Sequence, residues 1–136
     1  MSHFTEIKTQ VRDIAALRDA CRELDLQLLE NTTARGYARQ TRKGDYVIKL
    51  AGPYDIALDR QSDGTFGLTT DWWAGHVEKE VGKDYGRLLQ LYGVHKARME
   101  AKRKGYTVKR HTLGDGAIKL TIGLRGLALA GTGGAR

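Results

Sequence analysis

Cysteine is nearly absent from this chain: among its 136 residues there is one, Cys21. A single thiol excludes an intrachain disulfide and any thiolate cage for a metal drawn from one chain. Long apolar runs are missing as well. No stretch approaches the roughly 18 to 20 apolar residues that a membrane-spanning helix needs, and the first residues lack the basic-then-apolar order of a signal peptide. No membrane partner is expected, and the cytoplasm is the expected location. Familiar catalytic motifs are wanting too. There is no nucleophile elbow, no dinucleotide glycine motif and no paired-carboxylate signature. His3, His76, His95 and His111 are scattered, none at ligand spacing from another histidine or from Cys21, so neither a metal nor a cofactor is expected.

What is present describes an ordinary folded domain. With 40% apolar and 29% charged residues, the composition suits one hydrophobic core. The net charge of +7 permits an acidic partner, including nucleic acid, so the position of the charge must decide.

Apolar spacing organises the chain. SHFTEIKTQV places Ile7, Thr9 and Val11 on one face of a strand. Asp13 is placed to cap a helix in which Ile14, Leu17, Cys21 and Leu24 recur at helical steps, and Cys21 on that apolar face reads as a buried, inert thiol. Leu26 and Leu28 then restore a step of two. NTTARGYARQTRKGD has no apolar period, and it is expected as a mobile basic loop or a ragged hairpin. Three alternating segments follow (Tyr46 to Leu50, Tyr54 to Leu58, Phe66 to Trp72), separated by Gly52-Pro53 and Ser62-Asp63-Gly64, as in an antiparallel meander. From Glu78 to Lys104, Val81, Tyr85, Leu88, Tyr92, His95 and Met99 share one face of an expected long helix. Gly82, Gly86 and Gly93 within it suggest close backbone approach or an irregular start. A last hairpin spans Tyr106 to Ile122. The expected fold is therefore α+β, an antiparallel sheet covered on one face by two helices in two layers, as a single domain over 1–122 with a flexible Gly/Ala-rich tail over 123–136.

Both tryptophans stand in TTDWWAGH, residues 69 to 76. On a strand, neighbours point to opposite faces. Trp72 is then expected to continue the Phe66, Leu68 core row, and Trp73 to join Thr69 and Asp71 on the uncovered face. That face would also carry Lys8, Lys49, Lys109 and Lys119 against Glu6, Asp55, Asp59 and Asp71, a balance that leaves no electrostatic footprint for nucleic acid. The excess positive charge falls instead on Arg35, Arg39, Arg42 and Lys43 and on a second cluster that includes Lys102, Arg103 and Lys104. These could form a phosphate-binding patch, or a solvated helix end in which Glu100 meets Lys96 and Lys104.

The start Met1-Ser2-His3-Phe4 with Ile7-Lys8-Thr9, the Asp71-Trp72-Trp73 triplet, Tyr92 with His95-Lys96, and Gly105-Tyr106 together resemble the hypothetical chloroplast reading frame thirty-five family, also called domain of unknown function twelve fifty-seven. The resemblance implies membership of a group found in cyanobacteria, red-algal plastids and other bacteria, with no established activity and hence no catalytic residue to carry over. It draws attention to His3, Asp71, Trp72, Trp73 and His95. The basic Arg35 to Lys43 segment and the tail depart from that pattern.

These features favour a non-catalytic accessory or adaptor protein that binds a protein partner through Trp73, Asp71, His76 and His95. A nucleic-acid binder using the basic segments is the alternative, and an enzyme built on Asp71, His76 or His95 is the third reading.

Overall fold

A computed structural model describes residues 3–124. The chain divides into two compact units, Met1–Tyr92 and Gly93–Arg136. The first contains a five-stranded sheet built from β1 (Phe4–Lys8), β2 (Gln27–Arg35), β3 (Thr41–Lys49), β4 (Ile56–Arg60) and β5 (Phe66–Asp71). The strand order is β1-β5-β4-β3-β2, and every pairing is antiparallel. Helix α1 (Ile14–Glu23) joins β1 to β2, while α2 (Glu78–Val81) and the start of α3 (Gly86–Arg103) follow β5. This is the expected α+β fold, in which the meander β3-β4-β5 forms where the alternation placed it.

The pairing registers sort the strand residues by face. Ile48, Ile56, Leu58, Phe66 and Leu68 share one face and are fully buried; with α1's Ala16, Leu17, Ala20 and Cys21 they make the core. Burying a large apolar side chain contributes on the order of 1.5 to 3 kcal/mol, so this face is the main source of stability. Asp13 caps α1 as expected, its side chain accepting from the Ala16 N–H. The Tyr92 hydroxyl accepts from the N–H groups of Arg12 and Asp13, at 3.0 and 3.1 Å, and holds the helix entrance. Burial pushes the Cys21 thiol pKa up to about 12. Because the thiolate is the reactive form, native protein is expected to react with an alkylating reagent far more slowly than protein in denaturant, which a timed labelling assay reads directly.

Three expectations need correction. The single long helix is broken, because Gly82 adopts φ +87° and a Cβ there would lie 2.7 Å from the Arg87 nitrogen. Asp84 and Tyr85 are left-handed as well, and a short 3-10 turn separates α2 from α3. At Gly86 and Gly93 a Cβ would meet nothing within 4 Å, so those glycines mark no close packing. The last hairpin, β6 (Tyr106–Thr112) with β7 (Ile118–Leu124), forms its own two-stranded sheet, so Lys109 and Lys119 belong to no face of the larger one. The strand carrying Phe66 and Leu68 ends at Asp71, so Trp72 leaves the core row. It is half-buried, with its ring 4.8 Å from that of Tyr85. Beyond Leu124, the expected tail lies outside the described residues.

Among the described residues no helix is long and apolar enough to cross a membrane.

Candidate functional site

The second face of the sheet, expected to be open, is covered. Gly67, Thr69 and Asp71 of β5 and Val47 and Ala57 beside them are all buried. The cover is the outer half of the β2-β3 hairpin. β4 pairs only with Tyr46, Val47 and Ile48 of β3, whereas β2 and β3 stay paired out to Arg35 and Thr41. The outer arm therefore leaves the plane of the sheet and lies across it. Ala34 packs with Val47 and Ala57, and Gly44 crosses so closely that a Cβ would lie 3.1 Å from that of Ala57. Asp45, where β3 leaves the sheet, accepts from the Arg60 N–H of β4.

Charge explains why the basic segment lies there. Asp55, fully buried, accepts from the Arg35 Nε and Nη2, each at 2.8 Å, and from the backbone N–H groups of Arg35 and Leu50. Burial raises the Asp55 pKa, but these hydrogen bonds outweigh it and hold the carboxyl below its ordinary value. Arg42 pairs with Asp59 at 2.9 Å. Thus two of the acids that appeared to cancel a nucleic-acid surface instead receive the hairpin's own arginines. The mobile-loop alternative gives way to an ordered hairpin.

At the hairpin tip the chain turns through Tyr37–Arg39, with Ala38 and Arg39 left-handed at φ 56° and 65°. After β5 it turns through Trp73–Gly75, with Ala74 left-handed at φ 59°. The Asp71 carboxylate joins these two turns. Its Oδ1 accepts from the Trp73 N–H and its Oδ2 from the Tyr37 N–H, both at 2.9 Å. Asp71 itself is fully buried, whereas Trp73 is 52% and Tyr37 38% exposed. Their rings touch edge to face at 5.6 Å, and the His3 ring lies 4.8 Å from Tyr37 and 5.6 Å from Trp73. Beside Tyr37 runs a mainly apolar groove of about 570 Å³, lined in part by Ala38, Arg39, Pro53 and Tyr54. An anionic clamp beneath therefore presents an aromatic patch to solvent.

The other candidate residues are placed differently. His76 is half-buried, its ring edge-on to Tyr54 at 5.2 Å, and His95 is half-buried on α3 in the second unit. Both Asp71 oxygens are engaged by backbone N–H groups, so Asp71 is a structural acceptor. Arg39 and Lys43 are exposed. Lys102, Arg103 and Lys104 are exposed at the end of α3 and just beyond it, where Glu100 bridges Lys96 and Arg103, not Lys104. Among the described residues no group of three or more His, Cys, Asp or Glu is arranged to hold a metal ion.

Tyr37 and the clamping role of Asp71 were not evident from strand phase. A family model described as "Protein of unknown function (DUF1257)" matches residues 20–121. The chain belongs to the DUF1257 family. Asp71, Trp73 and Tyr37 fall inside the matched span, whereas His3 and Phe4 of the opening motif precede it. DUF1257 carries no assigned activity, so the family gives none of these residues a role. No curated protein and no solved structure matches the chain.

Proposed function

We propose that this DUF1257 protein is a cytoplasmic, non-catalytic accessory factor that binds another protein through Trp73 and Tyr37. The observation that carries this reading is the exposed aromatic pair, fixed from beneath by the buried Asp71 carboxylate. Tryptophan and tyrosine are enriched among residues that dominate binding energy, and their rigidity limits the entropy lost on association. Left-handed non-glycine residues in both supporting turns fit the same reading, since backbone strain concentrates at ligand-contacting sites. Arg35 and Arg42 are paired with Asp55 and Asp59 of the sheet beneath the hairpin, which weakens the nucleic-acid alternative, and Asp71 has no lone catalytic oxygen to offer an enzyme.

Affinity capture of the tagged protein tests this, with nuclease treatment in parallel. Trp73→Ala is expected to change stability by less than about 1 kcal/mol, as for a surface substitution, while abolishing capture of a nuclease-resistant protein partner. Unchanged capture by Trp73→Ala and Tyr37→Ala would reject the site.

A further inference from the structure

The net charge is not shared between the two units. Residues 1–92 carry 13 Lys and Arg against 14 Asp and Glu, whereas residues 93–136 carry 10 against 2. The chain's excess of +7 therefore resides wholly in the second unit. Both acids there are engaged within it. Glu100 pairs with Lys96 and Arg103, and Asp115 accepts from the Ala117 N–H in the turn between β6 and β7. Neither neutralises Lys102, Lys104, Lys109 or Lys119, which are exposed and form no ion pair with any described residue.

The pairing register sorts the hairpin into two unlike faces, because residues directly opposite each other on antiparallel strands share a face. Lys109 and Thr121 lie with His111 and Lys119, and with Thr107 and Gly123, on a face that carries no acid. Val108, Ile118, Leu120 and Ile122 belong to the other. Lys109 and Lys119 are diagonal neighbours, about 7 to 8 Å apart at the backbone, and like charges so placed repel each other unless an anion lies over them. Lys102 and Lys104 stand just before β6, so the strand begins beside two more lysines.

The form of the ribbon selects the anion. Its cationic face holds no Trp, Tyr or Phe on which bases could stack, which disfavours a single strand. A two-stranded ribbon fits the major groove of B-form DNA, about 12 Å wide, whereas the major groove of an RNA duplex is too deep and narrow for side chains to read.

We propose that the second unit binds double-stranded DNA, with the Lys109, His111 and Lys119 face in the major groove and Lys102 and Lys104 on neighbouring phosphates. The inference concerns this unit alone and does not depend on the Trp73 surface of the first. Fluorescence anisotropy of the full chain with a short labelled DNA duplex tests it, beside one of its strands, the RNA duplex of the same sequence, and poly-L-glutamate as competitor. In about 50 mM salt the DNA duplex should bind with a Kd on the order of 1 μM, and the other two nucleic acids about fivefold or more weakly. With the four lysines on phosphates, log K should fall with log salt concentration at a slope of roughly −3.5. Lys109→Gln with Lys119→Gln should weaken binding about tenfold and make the slope shallower by about 2. Lys102→Gln with Lys104→Gln, which leaves the hairpin itself untouched, should do the same. Trp73→Ala, or Arg39→Gln with Lys43→Gln in the first unit, should change neither. No binding in low salt, equal binding of the single strand or the RNA duplex, or binding indifferent to both lysine pairs would overturn the proposal. So would displacement of the DNA by poly-L-glutamate at equal charge concentration, which would assign the face to an acidic protein instead.

Discussion

Asp71→Ala is expected to lower stability by about 2 to 4 kcal/mol, the loss of two hydrogen bonds to a charged acceptor. The lower part of that range reflects the position of the two donors, which belong to exposed residues and can rehydrate once the carboxylate is gone. Asp71→Asn should lose less, because its amide oxygen still accepts from one turn. The measurement is urea denaturation followed by tryptophan fluorescence. A second effect distinguishes clamp from filler. With the carboxylate removed, the Tyr37 and Trp73 turns are no longer tied together, so partner binding should fall even at temperatures where the variant remains folded. Full binding by folded Asp71→Ala would show that the patch needs no clamp.

Asp55→Ala should have a comparable cost through a different mechanism. It leaves the Arg35 guanidinium without its bidentate partner and the Arg35 and Leu50 N–H groups without an acceptor. Breaking a buried pair costs about 3 to 5 kcal/mol, but the Arg35 side chain is 40% exposed, so about 2 to 4 kcal/mol is expected. Acid should reveal the same interaction. The folded-state pKa of Asp55 is lowered, so its contribution is fully present above the unfolded value of about 3.9 and is lost as pH falls through the folded value. The stability gap between wild type and Asp55→Asn should therefore be constant near neutrality and narrow below about pH 4. A gap independent of pH down to acid unfolding would assign the stabilisation to packing instead.

The parts of this fold legible in the sequence are those set by neighbours along the chain. Alternation revealed β3, β4 and β5, and Asp13 before an apolar period revealed the start of α1. Trp73 was expected to be exposed on an open strand face; it is exposed, but from the turn that follows β5, because the strand ends at Asp71 and that face is covered. The hidden parts depend on distance. Arg35 and Asp55 are 20 residues apart and Tyr37 and Asp71 are 34 apart, so nothing local announces that the basic segment folds over the sheet. Strand phase put Asp55, Asp59 and Asp71 on the correct face but treated it as solvent. Their actual partners are the arginines and a backbone N–H of the hairpin above. The helical period likewise ran through Gly82, because apolar spacing does not register a backbone reversal. One local signal at the site was available. An aspartate two residues before Trp73 fits a side chain that accepts from the N–H two positions on, which is the bond Asp71 makes.

The proposed role of the Trp73 and Tyr37 patch is to meet a protein partner. Site-specific photo-crosslinking inside cells tests that contact most directly, with the photoreactive residue in place of Tyr37 and, as a control, in place of exposed Gln27 on the edge strand β2. A discrete protein adduct from position 37 is predicted, absent from position 27 and lost when Trp73→Ala is added. Adducts to nucleic acid alone, or the same protein adduct from both positions regardless of Trp73, would contradict the account.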